Sequence, residues 1–140
     1  MDNPADNRNP EREQFIKQFD AGQYLKQLRG DRSLAAVCKQ IGVTPAHLSE
    51  IERGRMPSDH LISTLARVYE VDEDGLFRRW GKIPILTKDE ILARKSLQRL
   101  LSEMSHNSQL TEAEKDELYD NMYELYRSFI QKKNQEENFK

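Results

Sequence analysis

Signals that start and stop helices recur about every ten residues between Asp20 and Trp80, and this punctuation constrains the fold more than any other feature of the chain. From Asp20, Tyr24, Leu25 and Leu28 share one helical face, and Gly30 is a C-cap. Ser33 is an N-cap for a helix carrying Leu34, Val37, Cys38 and Ile41, stopped by Gly42. Thr44-Pro45 reads as N-cap followed by a first-turn proline, and the helix it opens carries Leu48 and Ile51 and ends at Gly54. Pro57-Ser58 opens a fourth helix with Leu61, Ile62, Leu65, Ala66 and Tyr69 inward. Asp72 caps a fifth with Leu76, Phe77 and Trp80. β-branched residues are few and do not alternate, so the chain reads as all-α.

Outside this stretch the spacing changes. Residues 1–19 read as an N-terminal tail or arm: the first ten are disordered in this reading, and Phe15, Ile16 and Phe19 form a short helix or an arm packed on the body. Residues 20–81 form the five-helix domain, and 82–86, broken by Pro84, a linker. Two capping boxes follow, Thr87-x-x-Glu90 and Thr111-x-x-Glu114. The first leads into Ile91, Ala93, Leu97, Leu100, Leu101 and Met104, the second into Leu118, Tyr119, Met122, Leu125, Tyr126, Phe129 and Ile130. Residues 87–133 are therefore expected to form a C-terminal helical hairpin, and 134–140 a disordered tail.

The 140 residues carry a net charge of −2, with ten basic against nine acidic side chains in 20–82, so any nucleic-acid contact needs a local basic patch. Arg29, Arg32, Lys39, Arg53 and Arg55 are candidates for such a rim. A single cysteine excludes an internal disulfide and a cysteine-based zinc site, and no apolar run is long enough for a membrane span or a signal sequence. The cytoplasm is the expected compartment. His47, His60 and His106 lack metal-ligand spacing, and no cofactor is expected. There is no P-loop, dinucleotide fingerprint or nucleophile elbow, so the chain does not read as an enzyme.

The informative stretch is 33–54, SLAAVCKQIGVTPAHLSEIERG. Cys38 is small enough to let a second helix approach, Gly42 permits a sharp turn, and Val43 plugs the junction. Leu48 and Ile51 face inward, which leaves the other side of their helix open to a major groove. With Gly22–Arg29 before it, and Pro57-Ser58, Leu65–Val71 and Leu76-Phe77 after it, this stretch resembles the Cro/cI-type (XRE, lambda-repressor-like) helix–turn–helix family.

The resemblance implies a five-helix DNA-binding domain whose third helix is the recognition helix, with Thr44, Pro45, Ala46, His47, Ser49, Glu50 and Arg53 on its exposed face or beginning. It places residues such as Pro45, Ala46 and Glu50 near base edges, and Arg53 and Arg55 near phosphates. Leu34 stands where the family often has a phosphate-binding glutamine. Next to the Ser33 cap it offers only backbone N–H groups. Pro45 and Ala46 make no bidentate base contact. Ala46 can touch a thymine methyl, His47 can donate to guanine, and Glu50 can accept from cytosine N4. Direct readout is expected to be thin, helped by phosphate contacts at residues such as Lys39 and by DNA shape.

Cys38 reads as a core residue, Glu52 as a structural partner for a nearby base or a backbone donor, and Trp80 as either core or the seam between the two regions. The C-terminal apolar face is wider than one hairpin partner can cover. Leu97, Leu101, Leu118, Met122, Leu125, Tyr126 and Phe129 are therefore expected to form a homodimer interface, with a protein or peptide effector as a further possible ligand. The leading reading is a sequence-specific regulator, a repressor binding two-fold symmetric double-stranded DNA as a dimer. The alternative is a protein-interaction adaptor or antitoxin-like partner that uses the helix–turn–helix fold as scaffold.

Overall fold

Five polar side chains close the starts of the first five helices. In a computed structural model, which describes residues 9–138, the chain forms α1 (Pro10–Arg29), α2 (Leu34–Ile41), α3 (Pro45–Glu52), α4 (Asp59–Val68), α5 (Glu73–Arg79), α6 (Ile85–Ala93), α7 (Lys95–His106) and α8 (Glu112–Asn138). Ser33 Oγ accepts from Ala36 N–H at 3.1 Å, Thr44 Oγ1 from His47 at 3.1 Å, Ser58 Oγ from Leu61 at 3.2 Å and Asp72 Oδ2 from Gly75 at 2.8 Å. Asn9 caps α1 through Glu11 N–H at 3.0 Å. Each such bond satisfies an orphan first-turn donor and is worth about 1 kcal/mol.

The chain divides into two compact units between Glu90 and Ile91. In the first, α1 packs on α3 and α5, α2 on α3 and α4, and α4 on α5. Leu25, Leu48, Ile51, Ile62, Leu65, Phe77 and Trp80 have no exposed surface, and Cys38 is buried with them. Trp80 thus belongs to the core. Burial raises the Cys38 thiol pKa, the nearby Glu52 carboxylate adds to the rise, and Arg29 opposes it. The result is an inert core thiol.

Several expected boundaries move. Asp20 does not start a helix: α1 already begins at Pro10, so Phe15, Ile16 and Phe19 lie on its exposed N-terminal half rather than on a separate arm. The expected tail over residues 1–8 lies outside the described residues. Residues 82–86 are not a free linker. Lys82 Nζ donates to Asp59 Oδ1 and to the Pro57 carbonyl, both at 2.8 Å, Lys88 Nζ donates to Asp59 Oδ2 at 2.9 Å, and Ile85 packs on the core. Thr87 is not an N-cap, because α6 starts directly after Pro84, two residues earlier.

In the second unit, the helix expected to run unbroken to Met104 stops at Ala93. Arg94 is extended, and Gln98 Nε2 donates to the Ile91 and Leu92 carbonyls at 2.8 and 2.9 Å, satisfying acceptors that the helix end leaves open. Thr111 and Glu114 form both bonds of a capping box, at 3.0 and 3.1 Å. α8 then continues to Asn138, through most of the expected tail, with no buried residue. Residues 139–140 lie outside the described residues. α7 and α8 are not among the closely packed helix pairs, so the expected hairpin is not formed as a packed pair, and at about 1.5 Å per residue α8 also far outruns α7. No helix of the described residues is long and apolar enough to cross a membrane.

Candidate nucleic-acid interface

The interface starts from a periodicity. In α3, Leu48, Ile51 and Glu52 point into the core, so Ala46, Ser49, Glu50 and Arg53, at the complementary spacing, share the outward face. Pro45, Ala46 and Arg53 are exposed, and His47, Ser49 and Glu50 half-buried. Gly42 adopts φ 78°, ψ 27°, and its N–H donates to the Cys38 carbonyl at 2.8 Å. This left-handed residue turns the chain from α2 into α3. An open cleft of about 700 Å³ lies in the elbow, where Lys39, Thr44, Pro45 and His47 come together beside Val43. Ser33 and the half-buried Leu34 sit at the start of α2, with the Ser33 hydroxyl held by Ala36 N–H.

The expected basic rim is thinner than the sequence reading has it. Arg29 does not face outward: Nε donates to Glu52 Oε2 at 2.8 Å and Nη2 to Glu52 Oε1 at 3.0 Å, while Nη1 donates to the Arg32 carbonyl at 2.7 Å. Arg32 in turn donates to the Arg29 and Leu28 carbonyls at 3.1 and 2.8 Å, and its guanidinium stacks over the Tyr69 ring at 5.2 Å. Both arginines are thus committed to the end of α1. Arg55 pairs with Glu50 through Nη1 and Oε2, and this contact is the main cause holding the Glu50 carboxyl below the usual carboxylate range. Arg53 is exposed, with Nε donating to the Ser49 carbonyl at 3.3 Å, and Lys39 is exposed on α2.

One positioning residue carries a role that the motif reading misses. A Cβ added at Gly22 would stand 2.5 Å from the Glu52 carbonyl oxygen and 2.7 Å from that of Ile51. Gly22 is therefore where the backbone of α3 crosses α1. Gly22 and Arg29 are seven residues apart, two helical turns on one face, and together they grip the C-terminal end of α3. That spacing was readable in the sequence.

The residues expected to dimerise lie in the second unit. Leu97 and Leu101 are half-buried on α7. Leu118, Met122, Leu125, Tyr126 and Phe129 are exposed on α8.

A family model described as a helix-turn-helix domain matches residues 20–78. No curated protein and no solved structure matches the chain. The match covers α2 to α4, α5 as far as Arg78, and the half of α1 that carries Gly22 and Arg29. Residues 20–78 of this chain are therefore a helix–turn–helix domain, consistent with the Cro/cI type that their motif resembles.

Proposed function

We propose that the chain is a sequence-specific regulator of transcription, with no catalytic step, that represses by occupying a two-fold symmetric operator as a dimer. The observation that carries this reading is the outward face of α3, where Ala46, Ser49, Glu50 and Arg53 stand clear of the core of their own unit. A major groove admits a helix presented this way. Lys39 and Arg53 would meet phosphates, and Ala46, His47 and Glu50 base edges. One monomer offers few phosphate contacts, so two half-sites held by a homodimer supply both affinity and specificity. The apolar stripe of α8 supports that dimer, since it is too long and too exposed for a monomer to need.

A second reading, an adaptor with this fold as scaffold, is favoured by one observation: Arg29, Arg32 and Arg55 are engaged within the protein, which leaves a weakly basic surface. One experiment separates the two. Generic duplex DNA should shift at low salt, the shift should weaken steeply with added salt, and Arg53→Glu with Arg55→Glu should abolish it. Absence of any shift at low salt overturns the regulator and leaves the adaptor. Selection from a random DNA pool should return inverted half-sites.

A further inference from the structure

α8 carries an exposed apolar stripe and, between Glu112 and Lys133, a charge gradient that Glu136 and Glu137 in its last turn do not continue. Leu118, Met122, Leu125 and Phe129 are separated by four, three and four residues, the alternating core spacing of a coiled coil. Leu125 is 72% exposed and Phe129 59%. Tyr119 and Tyr126 flank the stripe on one side. Between 112 and 124 lie Glu112, Glu114, Asp116, Glu117, Asp120 and Glu124, with Lys115 the only base. Between 125 and 133 lie Arg127, Lys132 and Lys133 and no acid.

We infer that α8 pairs antiparallel with α8 of a second copy of this chain, in the register that sets Met122 against Leu125 of the second copy and Leu118 against Phe129 of the second copy. This rests on the dimer proposed above and specifies its geometry. A parallel pair would lay the acidic half of one helix beside the acidic half of the other. An antiparallel pair lays acid against base and opposes the helix dipoles. In this register Tyr119 flanks Tyr126 of the second copy, and Glu112 flanks Lys133 of the second copy, each twice by symmetry. Lys133 is placed for this, since its ammonium lies 5.5 Å from the ring of Phe129, a core position of the stripe. Lys115 donates to Glu112 of its own helix at 3.1 Å, so Lys133 of the second copy adds a second cation to that carboxylate, and Lys115 and Lys132 bound the apolar core at the four layers between them. Six large side chains per helix, each covering on the order of 100 Å², would remove about 1,200 Å² in total, the lower range for a specific interface.

The test uses the full chain, and the substituted charges are exposed and outside the core. Sedimentation should show the wild type as a dimer. Glu112→Lys and Lys133→Glu should each weaken association by about fivefold or more, and the double variant should return close to wild type. Under oxidation, Leu118→Cys mixed with Phe129→Cys should cross-link between the two variants. Neither should cross-link with itself, because an antiparallel pair holds like positions about 16 Å apart, beyond disulfide reach. Self-linked Leu118→Cys with no mixed product, or a wild-type dimer whose double charge variant stays weak, overturns the antiparallel register while leaving the dimer. A monomeric wild type overturns the dimer itself.

Discussion

Arg29, in the last turn of α1, and Glu52, in the last turn of α3, meet through two parallel hydrogen bonds of 2.8 and 3.0 Å with both side chains largely withdrawn from solvent. The fork of the guanidinium matches the two carboxylate oxygens and ties the end of the outward-facing helix to the longest helix of its unit. Breaking a buried pair on one side strands the other charge, whereas replacing both can be close to neutral.

Glu52→Ala should therefore destabilise the first unit by about 3–5 kcal/mol in urea denaturation, and Arg29→Leu with Glu52→Leu by distinctly less than the sum of the two single changes. Additive losses would show that the two side chains do not act as a pair.

Two glycines should respond differently to the same change. Gly22→Ala forces a methyl against the α3 backbone and should cost about 3 kcal/mol. Gly42 has nothing within 4 Å of an added Cβ, and its φ of 78° alone opposes a side chain. Gly42→Ala should cost about 1 kcal/mol, and asparagine, which tolerates this conformation, should recover part of that at 42 but nothing at 22. Thermal melts of the four variants check this.

Asp59, held between Lys82 and Lys88, has its carboxyl lowered from 3.8 to about 2 by the hydrogen bonds from those two lysines. A depressed folded pKa adds stability above the unfolded value and loses it as pH falls through the folded one. The wild type should lose stability between pH 3.8 and about 2, and Asp59→Asn should decline less across the same window. Fluorescence of Trp80, buried just before Gly81-Lys82, should follow the change.

Glu50→Gln removes the partner that engages Arg55. It should tighten binding to generic duplex at low salt and steepen the salt dependence by about one unit of slope, as one more cation becomes available to a phosphate. An unchanged slope would show that Arg55 does not reach the DNA backbone. Selected sites should also change at the base that Glu50 faces.

Most helix starts were legible because a cap is a local event. Ser33, Thr44, Ser58, Asp72 and Thr111 each bond an N–H three residues ahead, within the reach of a single turn. Thr87 shows the limit of such reading: the same pattern lies inside α6, where Pro84 has already set the helix in motion two residues earlier. The early start of α1 was hidden because residues 10–20 bury nothing, and apolar periodicity reports only burial.

Charge was the least legible property. Arg29, Arg32 and Arg55 look equivalent to Arg53 as letters, yet Arg29 and Arg55 are paired with Glu52 and Glu50 and Arg32 is tied to the end of α1, whereas Arg53, which donates to the Ser49 carbonyl, stays exposed at the end of α3. The outward face of α3 was readable from spacing; the strength of the basic surface was not.

The amino-acid order by itself determined where most helices begin, which face of each is apolar and where Gly42 must turn, because those outcomes depend on neighbours a few residues away. Only the tertiary structure decided that Gly22 lies against α3, that Arg29 belongs to Glu52, and that Lys82 and Lys88 converge on Asp59. Those partners lie more than twenty residues apart, and only the crossing of packed helices brings them within hydrogen-bond distance.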